Sequence, residues 1–128
     1  SYSPIDNTAE LTARINDEGW DSSFSNWLDV SQLSKKDAIL IMSVGGGNLK
    51  KKVSVNLIKA VKYATLKKGK IISVIGRSDG YAYKKSTVNI LINVEETKLV
   101  TPISETFQTL LWHFFVSHPN LQVNKTKW

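Results

Sequence analysis

Residues 37–64, DAILIMSVGGGNLKKKVSVNLIKAVKYA, set the strongest limit on what this chain can become. The apolar residues 38–42 run without polar alternation into Ser43, and Gly45, Gly46 and Gly47 follow. A polar, lysine-bearing stretch leads to Ser54, after which Leu57, Ile58, Ala60, Val61 and Ala64 recur at helical spacing. An apolar run of this kind suits a strand buried on both faces of a parallel sheet. Ser54 stands where an N-cap is expected. The pattern is strand, glycine-rich loop, helix, and in parallel α/β folds such loops bind ligands at the carboxyl ends of strands. Free amides and the dipole at a helix start favour an anion, above all a phosphate. A glycine-rich turn also serves simply to reverse the chain, and the residues alone leave both readings open. Neither nucleotide motif is present, because no Gly-Lys-Ser/Thr follows the glycines and the Gly-x-Gly-x-x-Gly spacing is absent. A single phosphate held by hydroxyls and amides fits best.

The remaining segments supply the elements around that loop. Asn7 and Thr8 precede Ala9, Leu11, Ala13 and Ile15, which predicts a short helix entered through a polar cap. Asn16, Asp17, Glu18 and Gly19 are expected to break it, with Asn16 and Asp17 as turn residues. Trp20, Phe24, Trp27 and Leu28 mark a second amphipathic helix whose aromatic stripe reads as core packing. Lys67, Lys68 and Gly69 read as a lysine-rich helix end with a glycine stop. Residues 70–76 and 87–94 are further strands, separated by a turn at 77–80 and a short helical piece at 81–85. Strands alternating with helices at this spacing imply a parallel sheet with right-handed crossovers. From Pro102 a long apolar helix passes through Phe107, Leu110, Leu111, Phe114 and Phe115 and stops before Pro119. It carries Glu105 and His113, and eight helical residues rotate about 80° beyond two turns, so the pair lies only loosely on one side. A lone histidine on an apolar helix is ordinarily a packing residue, and His118 beside Pro119 is placed to complement the helix dipole.

Composition narrows the function classes. A chain of 128 residues with 41% hydrophobic content is read as one domain, residues 1–121, followed by a polar tail at 122–128. Cysteine is absent, which excludes disulfides, thiol nucleophiles and thiolate metal sites together. No apolar run approaches the about 20 residues of a membrane span, and no signal-peptide pattern opens the chain, so a cytoplasmic protein is expected. The formal charge of +6 points toward nucleic acid, but the lysines are scattered along the chain, and nucleic-acid binders concentrate them on one face. A nucleic-acid role is therefore the weakest reading.

Taken in order, these segments resemble the sugar isomerase (SIS) domain, in particular its sedoheptulose 7-phosphate isomerase (phosphoheptose isomerase) branch. ELTARINDEGWDSSFSNWL is similar to that branch's helix, Asn-Asp turn and aromatic helix. DAILIMSVGGGN and VNLIKAVKYA are similar to its phosphate-loop strand and the helix that follows. KIISVIGRSDGYAYK looks like the next strand and turn, and PISETFQTLLWHFFVSHP like the closing histidine-bearing helix. The resemblance implies a Rossmann-like, doubly wound α/β/α sandwich that binds a phosphosugar and assembles as a homodimer or homotetramer with sites between subunits. It implies isomerisation of sedoheptulose 7-phosphate through an enediol, feeding heptose synthesis for lipopolysaccharide. By position, Ser43 and Ser54, with Gly45 and Gly46 of the loop, match phosphate-binding residues, and Asn16 and Asp17 match a substrate-contacting pair. Glu105 falls where the branch has a glutamine contacting substrate or metal. His113 matches the histidine proposed as catalytic acid and, in some members, as a zinc ligand, which makes zinc a candidate cofactor with Glu105 and His113 as half a site. The chain departs from the branch in having Gly45 for a loop serine and extra residues at 48–53, which include Lys50, Lys51 and Lys52. The branch's first helix and strand and its base-bearing segment are not found ahead of Ser1, so no residue is assigned as general base. A non-catalytic module of the same fold, sensing phosphosugars or binding a protein, is the alternative.

Overall fold

Ile39 and Ile41 alternate with Leu40 and Met42 along the first strand, and this alternation decides which side of the sheet becomes the core. In the computed structural model, which describes residues 1–124, three parallel strands stand in the order β1 (Ala38–Ser43), β2 (Lys70–Ile75) and β3 (Val88–Leu91). Ala38 pairs with Lys70 and Ser43 with Ile75, while Ile72 pairs with Val88 and Ile75 with Leu91, so all three strands point the same way. The isoleucines at 39, 41, 71 and 75 share one face with α2 (Ser23–Val30), α3 (Val55–Leu66) and α4 (Tyr81–Lys85). There they meet Leu28, Leu33, Ala60, Val61, Ala64 and Ala82, with Phe24, Trp27 and Tyr63 packed around them. Each fully buried aliphatic side chain of this kind stabilises the fold by about 1.5–3 kcal/mol.

The opposite face is covered by α5 (Val100–Ser117), which lies against β2. Gln108 donates to the Val74 carbonyl at 3.1 Å, and Ser104 packs under Gly76. Helices therefore flank both faces of a parallel sheet, the α/β arrangement expected from the sequence. The cover is uneven: β2 is buried along most of its length, whereas Leu40 on β1 is 43% exposed. The expectation that residues 38–42 are buried on both faces is thus met on one face only, because no element among the described residues lies over β1 on the α5 side as α3 does on the other.

Element boundaries shift in physically intelligible ways. α1 (Thr8–Glu18) is capped by Asn7, whose Oδ1 accepts from the Glu10 amide. It runs through Asn16, Asp17 and Glu18 to stop at Gly19, so Asn16 and Asp17 occupy its last turn and are not a separate turn. Arg14 bonds Glu10 one turn away at 2.8 Å, with Glu18 on its other side, which supports this longer helix. Trp20 lies in a single 3₁₀ turn, Trp20–Ser22, and is half exposed, so only Phe24, Trp27 and Leu28 of the aromatic stripe reach the core. At the end of α3 it is Lys68, not Gly69, that takes the left-handed conformation (φ 60°). Gly69 instead packs close to Leu33 and Ser34. β3 is shorter than residues 87–94, because the chain turns away to a 3₁₀ turn, Thr97–Leu99, that leads into α5 two residues ahead of Pro102. Residues 125–128 of the expected tail lie outside the described residues.

Candidate functional site

The glycine-rich loop begins where β1 ends and is closed on itself by side chain and backbone. Ser43 Oγ accepts from the Gly46 amide at 3.1 Å. Gly46 and Gly47 take positive φ, 66° and 81°, and their carbonyls accept from the amides of Ala82 and Tyr81 at 2.8 and 2.9 Å. The loop is thereby fastened to the first turn of α4, and the Gly76 amide adds a bond to the Val44 carbonyl at 3.0 Å. Only glycine fits at position 47, since a Cβ there would stand 2.8 Å from Ile58 Cγ1 in a left-handed backbone. Gly45 differs: it is exposed, and a Cβ there would meet nothing.

Beyond the glycines the chain makes a small antiparallel excursion. Asn48 and Val53 exchange both backbone bonds at 3.0 Å, and Asn48 Oδ1 accepts from the Lys51 amide. Lys50, Lys51 and Lys52 form its exposed tip. Ser54 then enters α3 in the left-handed region, at φ 51° and ψ 50°. It occupies the N-cap position, but its side chain makes no capping bond, contrary to the expectation of an ordinary serine cap. The reason is conformational: an N-cap normally has an extended backbone that aims its oxygen back at the helix amides. Of the four non-glycine residues with positive φ among the described residues, Lys52 lies in this excursion and Ser54 directly follows it. Each left-handed residue costs about 1–2 kcal/mol, and such strain clusters where ligands are gripped. Among the described residues the Ser54 hydroxyl has no hydrogen-bond partner, and it stands at the positive end of a twelve-residue helix.

The other expected site residues fall in different places. Asn16 and Asp17 are exposed at the end of α1, where Asn16 Nδ2 donates to Asp17 Oδ1 at 2.9 Å. Glu105 lines a shallow recess of about 310 Å³ between the end of β1 and α5, together with Met42, Gln108, Thr109 and Trp112. His113 is exposed on α5 and does not line that recess. His118 caps α5, with Nδ1 accepting from the Asn120 amide at 3.2 Å and its ring edge-on to Phe114. A structural zinc needs about four protein ligands and a catalytic one three. Among the described residues no three His, Asp or Glu side chains come together, so Glu105 and His113 by themselves do not fit a zinc ion.

A second recess, of about 260 Å³, opens at the carboxyl ends of β2 and β3 between Arg77, Ser78 and Asp79 on one side and Asn93, Val94 and Thr97 on the other. Sequence reasoning assigned residues 77–80 only to a turn. The signal that could have found more is their position one strand beyond the glycine loop.

No profile of a known protein family matches the chain. A phosphoheptose isomerase of Buchnera aphidicola (subsp. Schizaphis graminum, strain Sg) is 33% identical to it over 89 residues, covering 70% of this chain and 42% of that protein. In structure it is similar to phosphoheptose isomerases of Neisseria gonorrhoeae and Francisella tularensis. The TM-scores are 0.64 and 0.66, at 24% and 18% identity. These matches cover 88% and 86% of this chain and 58% and 56% of those. Over these stretches the chain is similar to phosphoheptose isomerases in sequence and shares their fold. It spans less than half the length of the curated phosphoheptose isomerase it matches, and a little over half of the solved ones. The strand–loop–helix unit from β1 to α3 belongs to a fold shared with those phosphoheptose isomerases, with the lysine-tipped excursion built into its loop.

Proposed function

We propose that this chain carries the phosphate-gripping part of a phosphosugar isomerase, acting on sedoheptulose 7-phosphate in heptose biosynthesis. The observation that carries the reading is the Ser54 hydroxyl at the start of α3, without a hydrogen-bond partner among the described residues, beside a glycine loop at the carboxyl end of β1. In a chain with the fold of phosphoheptose isomerases, that is where a phosphate is best served by amides, a hydroxyl and a helix dipole. Lys50, Lys51 and Lys52 add positive charge at the same loop. Ser43 and Gly46 set the shape of the cradle by bonding each other.

The chemistry is ketose-to-aldose isomerisation. A base removes a proton from C1 and the carbonyl oxygen at C2 receives one to give the enediol; a proton then returns at C2 while the C1 hydroxyl gives up its own and becomes the aldehyde. In this reading His113 is the proton donor to oxygen, and Glu105, Asn16 and Asp17 contact the sugar. The general base is not assigned to any residue of this chain. The protein acts in the cytoplasm as a homodimer or homotetramer with sites between subunits. The apolar residues that α5 leaves exposed, Phe107, Leu110 and Phe114, support that assembly.

A second reading, a phosphosugar-sensing module without turnover, is favoured by one observation: His113 and Glu105 do not share a recess. The deciding experiment is thermal unfolding with and without sedoheptulose 7-phosphate, in wild type and Ser54→Ala. A ligand at a hundredfold excess over its Kd raises stability by about 2.7 kcal/mol. A shift in wild type that Ser54→Ala largely abolishes supports the phosphate loop, and turnover of the ligand then separates isomerase from sensor. No shift in the folded wild type overturns both.

A further inference from the structure

The lysine pairs that lie far apart in the sequence meet on one face once the sheet forms. Lys35 and Lys36 precede β1, Lys67 and Lys68 precede β2, Lys70 opens β2, and Lys84 and Lys85 end α4 ahead of β3. The register sets Ala38 beside Lys70 and Ile72 beside Val88, so each pair ends two or three residues before its strand, at nearly one level across the sheet. Adjacent parallel strands lie about 4.8 Å apart, which brings the three strand starts within about 10 Å of one another. All seven lysines are exposed. The ion pairs among the described residues are those of Arg14, so none of the seven is neutralised in that way, and only Lys67 rests its ammonium on a ring, 5.3 Å from the centre of Tyr63.

Nearby negative charge does not balance them. Residues 29–37, 63–70 and 82–88, which meet at this end of the sheet, contain the carboxylates of Asp29 and Asp37 and no others. Both are engaged, Asp29 by the Tyr63 hydroxyl and Asp37 by Ser34. The ends of α2, α3 and α4 each supply about half a negative charge at most, which leaves a surplus of about three positive charges on this face. The same segments expose aliphatic side chains. Val30 is 66% exposed, Leu66 75% and Val88 56%, each in the same segment as one of the lysine pairs. The aromatics of these segments, Tyr63 and Tyr83, pack against the core instead.

We infer that this face docks the protein on the surface of an anionic phospholipid bilayer, with the lysines at the headgroup phosphates and Val30, Leu66 and Val88 at the acyl boundary. Seven clustered lysines suffice to attract acidic headgroups. Attachment to a bilayer surface strengthens with buried apolar area as well as with charge, and the three exposed aliphatics supply that area. A nucleic-acid face instead places stacking aromatics among its cations. Here the exposed apolar side chains among the lysines are aliphatic. The docking is peripheral, since no helix among the described residues is long and apolar enough to cross a membrane. The glycine loop and Ser54 lie at the opposite, carboxyl end of the sheet, so a docked molecule keeps that end open to solvent. Docking of this face does not depend on what that loop binds.

The test is flotation of the whole chain with vesicles of phosphatidylcholine alone and of phosphatidylcholine mixed with phosphatidylglycerol, at low and high salt. A single-stranded oligonucleotide is titrated in parallel. Wild type is compared with a face variant carrying Lys35→Gln, Lys36→Gln and Lys85→Gln, and with Leu66→Ser. A loop variant carrying Lys50→Gln, Lys51→Gln and Lys52→Gln removes the same charge at the opposite end of the sheet. Every side chain replaced is exposed and outside the ion pairs, so all variants are expected to fold, and circular dichroism checks each. Wild type should bind the anionic vesicles and not the neutral ones, less so as salt rises. The face variant should bind them about a hundredfold more weakly. Leu66→Ser should weaken binding about tenfold, and the loop variant should bind like wild type. Failure of wild type to bind, equal losses in the two lysine variants, or a Leu66→Ser that binds like wild type each overturns the bilayer assignment. So does an oligonucleotide that binds more tightly than the vesicles and loses its affinity in the face variant, which would give these lysines to nucleic acid.

Discussion

Gly47 shows how much one residue type decides here. Its φ of 81° and the 2.8 Å approach of Ile58 Cγ1 to any added Cβ act together, so Gly47→Ala should destabilise by about 2–4 kcal/mol, measured by denaturant titration. Gly45 has neither constraint, and Gly45→Ser should leave the midpoint unchanged while adding a hydroxyl to the loop. Ser104 is the converse case, a fully buried hydroxyl with no partner among the described residues. Ser104→Ala removes that orphan and should raise stability by about 1 kcal/mol, read as a higher Tm. Asp37 supplies the pH dependence. The Ser34 hydroxyl and amide donate to its carboxylate, both at 2.8 Å, and hold it below the ordinary 3.8. A carboxyl depressed in the folded state contributes stability above its unfolded pKa and loses it as pH falls through the lower folded value. The Tm gap between wild type and Asp37→Asn should therefore be constant above about pH 5 and shrink steadily below pH 3.8.

Among the elements, α3 is the pillar. Its Ile58, Val61 and Ala64 are almost completely buried, and α2 is tied to it by the Tyr63 hydroxyl, which donates to Asp29. Ile58→Ala should cost about 2–5 kcal/mol and also loosen Gly47, whose place it fills. The Asp29 carboxylate raises the Tyr63 pKa above 10, so this tie is fully present below pH 10 and is lost as pH rises through the higher folded value. The start of α3 was legible in the sequence because a serine before a helical apolar pattern is a local signal. That Ser54 arrives in the left-handed region and makes no capping bond was not legible, because it directly follows the Asn48–Val53 bridge, which pairs residues across a turn. The Asn16–Asp17 pair was misplaced for a similar reason. Their turn propensity is outweighed by the Glu10–Arg14–Glu18 ladder and the glycine stop one residue later.

In the whole molecule, the parallel sheet sorts charge that the sequence scatters. Lys35 and Lys36 precede β1, Lys67 and Lys68 lie between α3 and β2, Lys70 opens β2, and Lys84 and Lys85 end α4, so all seven gather at the amino ends of the strands. Four of them complement the negative ends of α3 and α4. The sheet also leaves α5 with Leu110 61% exposed, near Phe107 and Phe114. An apolar stripe of that kind marks an interface. If the subunits assemble through it, Leu110→Glu should leave the Tm of a dilute sample nearly unchanged and shift the mass measured by light scattering toward the monomer.

The order of strands and helices, the glycine loop at the end of β1 and the class of fold were written in the sequence, because apolar periodicity, caps and glycines act over a few residues. The loop's attachment to Tyr81 and Ala82, the recess between the turns after β2 and β3, the separation of Glu105 from His113 and the uneven cover over Leu40 belong to the tertiary structure alone. Each depends on which residues distant in the chain become neighbours when the sheet forms, and no local pattern encodes that.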